Sequence, residues 1–436
     1  MKLSLLVCIG LIFFSLFTQF LYVKKKNNLF SIDSFFLCCF SIFYSFDALH
    51  SLISFDAGGY YLSGVFFSWE LDSLITSSII ISVAPWVWVF GYQSVTLFKK
   101  KQAVNQFQYG YHITFNSKKL FLATVFYMSL SLIAIFIVLN KLGATVGILG
   151  YLRDLAQRSI IFSDFTLQNA YINFVLVAAT PAAAIAIYKG RKTLKVLGVL
   201  LLCLLAFSSL LSGARAPLVQ MVFTVVVIRN FYYRKVEFNF KLILMAFLAM
   251  VILVQVALST RTVSIKHDSV IENVFGTGQI PQSNNMHAIF SMSMDGELKG
   301  ESIANDLLSP IPSFIFSSLG YEKKMGGNTY YTMEFWPSRW ENTRSQISLG
   351  GVNELLYNYG IVISLVALFF IAYFYSLVEQ QICKSVYGPI FMTGLLWSIF
   401  QQLRGDYFHT INKMFIFIVS YLILLILLKG VRFKSR

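Results

Sequence analysis

Acidic residues are scarce in this chain: 20 Asp and Glu stand against 35 Lys and Arg, a net charge of +15 over 436 residues. Charged residues of both signs make up 13% and hydrophobic residues 57%. A soluble domain carries about twice that charged fraction, so the composition points to an integral membrane protein. Of the 5 cysteines, Cys8, Cys38, Cys39 and Cys203 lie inside apolar runs and Cys383 lies near a basic end. No pair has metal-ligand spacing, which argues against zinc and against a disulfide framework. Also missing are a Walker-type Gly-rich phosphate loop, a DxD-like acidic pair, a His/Cys cluster and a G-x-S-x-G elbow. No nucleotide, metal or other cofactor is expected. The basic residues sit in short clusters at the ends of apolar runs, as membrane topology requires, so nucleic acid is not an expected partner.

What is present is a series of long apolar runs. A membrane span needs about 20 mostly apolar residues. The candidates are Leu3–Val23, Phe30–Phe55, Leu74–Phe98, Leu120–Leu139, Ala170–Tyr188, Val196–Leu211, Ala216–Tyr233, Leu242–Leu258, Leu355–Leu377, Val386–Gln401 and Thr410–Leu428. The expected fold is an all-α polytopic bundle of about eleven (10–12) transmembrane helices. The first run reads as a retained span. It is too long for a signal peptide, lacks a small-residue cleavage site and is followed by Lys24–Lys26.

Charge orients the set. Lys24–Lys26, Lys99–Lys101 with Lys118 and Lys119, Lys189 with Arg191, Lys192 and Lys195, Arg234 with Lys235 and Lys241, and the C-terminal group Lys429, Arg432, Lys434 and Arg436 fall in alternate gaps. All five become cytoplasmic on one path, with the N-terminus outside and the C-terminus inside. The division is residues 1–258 as eight spans with short loops, 259–350 as one large extracytoplasmic loop, and 351–436 as three further spans. Within the loop, Gly276–Asn285 and Ser309–Ser313 read as breaks, and Met286–Leu308 between them as a weakly amphipathic helix.

Residues able to do chemistry collect in the outer gaps. Arg215 lies in the hairpin Ser212-Gly-Ala-Arg-Ala-Pro217, at headgroup level, where a planar guanidinium suits two phosphate oxygens or simply anchors the interface. Arg261 opens the large loop in a similar setting, and Arg153 and Arg158 lie on a surface helix as headgroup contacts. A second group holds Trp336, Arg339, Trp340, Glu341 and Arg344, then Gly350-Gly-Val-Asn-Glu354 and Asn358 at the start of a span. The tryptophans suit either sugar stacking or interfacial anchoring. Glu354 is either a base for a sugar hydroxyl or a helix-start acid. The third group is Arg404-Gly-Asp406 with His409 and Asn412; Arg404 and Asp406 could act on substrate or pair with each other.

Many spans, short cytoplasmic gaps, one large late loop, the Gly-Ala-Arg hairpin at Arg215, the Glu354–Gly360 stretch (ELLYNYG) and Arg404-Gly-Asp406 together resemble the Wzy-type O-antigen (oligosaccharide repeat-unit) polymerases. Arg339 and Gly350 fit the R-x10-G pattern of such loops once; Arg215 lacks a glycine at that spacing. The resemblance implies a metal- and nucleotide-independent glycosyltransferase in the bacterial cytoplasmic (inner) membrane, active on its outer face. It would join undecaprenyl-diphosphate-linked repeat units with inversion, Arg215, Glu354, Arg404 and Asp406 being catalytic. Arg261, Arg339, Arg344, His409, Trp336 and Trp340 would bind the diphosphate or sugars. Membrane lipids, a chain-length regulator and a flippase are the implied partners. An O-antigen ligase, a polysaccharide flippase or transporter and a membrane scaffold are the alternatives.

Overall fold

The computed structural model describes residues 2–53, 59–62, 65–68, 70–98, 113–143, 171–211, 216–236, 282–311, 313–320, 326–343, 346–429 and 432–433. They are overwhelmingly helical. In an apolar medium a chain must satisfy its backbone internally, and a helix does so within one segment. Polar side chains inside the apolar helices follow the same rule. Ser78, Thr124, Ser131 and Ser209 each donate to the carbonyl four residues back, at 2.7–2.9 Å.

Ten of the eleven expected runs are helices; the run Leu242–Leu258 lies outside the described residues. In order, α1 is Lys2–Lys26, α2 Ile32–Phe40 and α3 Phe46–Ile53, the last two joined through a π-turn at Ser41–Ser45. Then come α4 (Leu71–Phe98), α5 (Ser117–Gly143), α6 (Val177–Lys189), α7 (Lys192–Leu211) and α8 (Ala216–Tyr232). Among the described residues, seven helices are long and apolar enough to cross a membrane, and α6 and α8 are shorter apolar ones. Two antiparallel strand pairs, Gly59–Leu62 with Val65–Ser68 and Ile113–Thr114 with Arg432–Phe433, are minor additions.

The region expected as a loop contributes five short helices: α9 (Ser283–Ser291), α10 (Glu301–Leu307), α11 (Ser313–Ser318), α12 (Gly327–Phe335) and α13 (Pro337–Thr343). Met286–Leu308 is therefore not one helix. Ser293, Gly296, Lys299 and Gly300 all take positive φ between α9 and α10, which no continuous helix allows. Nor are Ser283–Asn285 a linker, since they form the first turn of α9. The side chain of Asp47, buried in α3, accepts the backbone N–H of Ser283 (3.0 Å) and of Asn284 (3.2 Å) and so caps that helix from outside it.

α14 (Gly351–Ile382), α15 (Gly388–Arg404) and α16 (Tyr407–Leu428) close the bundle. α14 packs along α4 so closely that a Cβ on Gly91 would stand 2.2 Å from the Phe369 carbonyl oxygen. It is two helices rather than one, because Gly360 (φ 68°, ψ −175°) breaks it in a conformation open essentially to glycine alone. The break frees the carbonyls of Leu356 and Tyr357. The turn after α9 takes them up, through Gly296 N–H (2.9 Å) and Leu298 N–H (3.1 Å).

Contacts set the two ends of the bundle apart. At one, Lys26 pairs with Asp33, Tyr22 donates to Asp33, and Tyr92 donates to Glu379 near the end of α14. Lys119 reaches the Lys429 carbonyl at the same end. Lys26, Lys119 and Lys429, from three of the expected cytoplasmic clusters, thus lie at this end. The five short helices cover the opposite end and have an apolar core of their own, built on Ala288, Ile289, Tyr331, Phe335, Trp336, Leu349 and Tyr357.

Candidate active site

At the covered end, the two-residue link Gly405-Asp406 joins α15 to α16. Asp406 is the N-cap of α16, its Oδ1 accepting His409 N–H at 2.9 Å. The same oxygen lies 2.6 Å from His409 Nδ1. A carboxylate can only accept, so Nδ1 carries a proton, and in the neutral ring Nε2 is the basic nitrogen. Asp406 Oδ2 accepts Asn328 N–H at 3.1 Å, from the first turn of α12. Burial alone would raise the Asp406 carboxyl; the hydrogen bonds and charge of His409, with the Asn328 N–H, outweigh it and hold the group below its ordinary value. The acid is 1% exposed, whereas the imidazole is 46% exposed. A buried carboxylate therefore orients an accessible imidazole.

Two more carboxyls lie behind this pair. Glu354, in the first turn of α14, is fully buried, and both oxygens are occupied: Oε1 accepts the Ser302 hydroxyl at 2.7 Å and Oε2 accepts Tyr407 N–H at 2.7 Å. Asn358, one turn on, donates to Ser302 Oγ at 2.8 Å. Asp306 of α10, also fully buried, meets Glu354 carboxyl to carboxyl, and neither of its oxygens accepts a well-formed hydrogen bond. Two acceptors share a contact only with a proton between them. Burial first, then the charges of Glu354 and Asp406, push Asp306 up to about 11. Asp306 is therefore the protonated member and Glu354 the accepting one.

The backbone makes room for this buried acid pair. A Cβ on Gly327 would stand 2.1 Å from Glu354 Oε1, and one on Gly326 would stand 3.0 Å from Asp306 Oδ1 and 2.6 Å from the Phe408 Cβ. Among the described residues, no three Asp, Glu, His or Cys side chains converge as a metal site.

Measured against the sequence reading, the structure joins Glu354, Asp406 and His409 and reassigns them. Glu354 was read as either a base for a sugar hydroxyl or a helix-start acid; it is the acid of the first turn of α14, enclosed with both oxygens taken, so it holds α10 and α16 to α14. Asp406 was expected to act on substrate or to pair with Arg404; its contacts are His409 and Asn328. The Arg404 carbonyl, at the end of α15, accepts from Gln282 Nε2 (3.2 Å) and from Ser348 Oγ. Trp336 was expected as a sugar platform or an interface anchor. It is 4% exposed, its ring packed against Phe67, Tyr331 and Phe335, so it is core. Trp340 and Arg339 lie half-buried on α13, where burial lowers the Arg339 guanidinium from its usual value. Arg215, Arg261 and Arg344, with Arg153 and Arg158, lie outside the described residues.

Asp306, Ser302, Asn328 and the Gly326-Gly327 pair were not anticipated. The only signal for Asp306 was an acid in the mostly apolar string Ile303-Ala-Asn-Asp-Leu-Leu308. No family model, no characterised protein and no solved structure matches this chain.

Proposed function

We propose that this protein is a membrane glycosyltransferase that joins lipid-diphosphate-linked oligosaccharide repeat units at the outer face of a bacterial cytoplasmic membrane, through about eleven spans and one large outer loop. The observation that carries the reading is the pair Asp406–His409, a buried carboxylate 2.6 Å from an exposed imidazole at the mouth of the bundle. In the reaction, His409 Nε2 takes the proton of the acceptor sugar hydroxyl. The hydroxyl oxygen forms a bond to the anomeric carbon of the donor from the face opposite the leaving group. The bond from that carbon to the diphosphate oxygen breaks, its electron pair leaves with the lipid diphosphate, and the anomeric centre inverts. Arg215, Arg261, Arg344 and Arg404 supply cations for the departing charge.

Transport is the less favoured reading. The buried acids in the described apolar helices have structural partners: Asp33 has Lys26, Asp47 has Ser283, Glu354 has Ser302 and Tyr407, and Glu379 has Tyr92. Acids so engaged offer no free charge for a substrate pathway.

The test is a deletion strain complemented with variants, read as a surface-polysaccharide ladder on a gel. His409→Ala and Arg215→Ala should each leave single repeats and remove long chains, with protein levels unchanged. A proton-transfer role corresponds to a loss of about 10²–10⁴ in rate. Wild-type ladders from both variants would refute the assignment, and polymer retained on its lipid carrier in the deletion strain would indicate a ligase.

A further inference from the structure

Beside the buried carboxyls, on the other side of α10, lies an open groove of about 710 Å³, a size that accommodates a short oligosaccharide. Glu297, Glu301 and Glu334 line its exposed rim with Lys299, and Tyr330 and Tyr357 line its inner part. Tyr330 donates to Glu301 Oε1 at 3.1 Å, which holds one carboxylate at the edge. Tyr357 is 2% exposed, with its ring against Tyr331 at 6.3 Å. Its hydroxyl has no hydrogen-bond partner among the described residues, although the residue forms part of the groove wall. The ring is buried while the hydroxyl opens on the groove, where a ligand oxygen can take the place of water as its hydrogen-bond partner.

We propose that this groove is a subsite for the sugar end of the substrate and that it selects neutral or amino sugars over acidic ones. Resting on the glycosyl-transfer reading above, it adds the substrate class. Adjacent ring hydroxyls donate to the two oxygens of one carboxylate, the Tyr357 hydroxyl bonds a further sugar oxygen, and tyrosine faces cover sugar C–H surfaces. Glu297 and Glu334 against one ammonium repel a uronate and equally repel a diphosphate. The lipid-diphosphate end must therefore point away from the groove. The site of transfer is next door: Glu301 faces the groove while Ser302 binds Glu354, and Tyr357 lies one turn beyond Glu354 on α14.

The test is saturation-transfer NMR on the full-length protein in detergent, titrated with maltotriose, a glucosamine trimer and a galacturonate trimer. At least one of the first two should bind with millimolar affinity, and the galacturonate trimer about tenfold or more weaker. In the double variant Glu297→Gln/Glu334→Gln, shown by its melting temperature to be folded, that gap should shrink by about tenfold. Tyr357→Phe should weaken the neutral ligand severalfold. Failure of all three sugars to bind, equal binding of the anionic trimer, or discrimination that survives the double variant would overturn the subsite. His409→Ala leaves the groove intact. Normal sugar binding in that variant beside a wild-type polysaccharide ladder would retire the transfer chemistry and leave the subsite standing.

Discussion

Asp306 holds a proton at neutral pH that the unfolded chain releases. Burial, then the charges of Glu354 and Asp406, hold its carboxyl well above the ordinary carboxylate range in the folded protein. Above the ordinary carboxylate range the native state keeps a proton that the unfolded chain has lost, so this group makes stability fall as pH rises. Asp306→Asn keeps the shape and replaces the shared proton with an amide N–H directed at Glu354. The drop in melting temperature between pH 6 and pH 9 should therefore be smaller in Asp306→Asn than in the wild type, measured by thermal unfolding in detergent. An unchanged pH slope would mean that Asp306 is not the proton carrier. Glu354→Ala should behave differently. It strands the Ser302 hydroxyl and Tyr407 N–H in a closed interior, at about 1–3 kcal/mol for each unpaired group, and Glu354→Gln should recover part of that loss.

At the scale of elements, Gly360 decides how the covering helices attach. An unbroken α14 would satisfy the carbonyls of Leu356 and Tyr357 itself, and the turn carrying Gly296 and Leu298 would lose its anchor. Gly360→Ala should cost about 1–3 kcal/mol through backbone strain and should increase amide exchange at Gly296 and Leu298, read by hydrogen–deuterium exchange. Gly327→Ala tests packing instead of backbone strain. Its methyl would fall inside the Glu354 carboxyl, so a loss of about 1–3 kcal/mol or more is expected, with no rescue from raised pH. Retention of the wild-type melting temperature by Gly327→Ala would show that the glycine is not required for contact.

For the whole molecule, the arrangement of ends is the quantity to test. Lys26, Lys119 and Lys429 lie at one end and the covering helices at the other, and the positive-inside rule predicts that the first end faces the cytoplasm. The native cysteines on described helices are buried, partly buried or, in the case of Cys203, on an exposed apolar helix face. Single cysteines introduced at exposed Glu341 and Lys118 therefore give a clean contrast. A membrane-impermeant maleimide on intact spheroplasts should label Glu341→Cys and should reach Lys118→Cys only after permeabilisation. The reverse pattern would invert the topology and place His409 on the wrong side for the proposed chemistry.

The sequence by itself determined the helices and their polarity. Apolar runs longer than a bilayer is thick must pair their backbone internally, and lysine clusters mark one end of each pair of runs. That is local information, legible one segment at a time, and it gave ten helices on the described residues. It could not tell that Glu354 is enclosed, that Trp336 is core, or that Asp306 shares a proton with Glu354. Those facts depend on Ser302, Asn328, Gly327 and Tyr407 arriving from separate elements at one point. A carboxylate beside water and a carboxylate sealed among donors look alike along a chain. Only packing sets the desolvation and the partners that make Asp306 an acid, Glu354 a fastening and Asp406 the buried support of an exposed His409 ring.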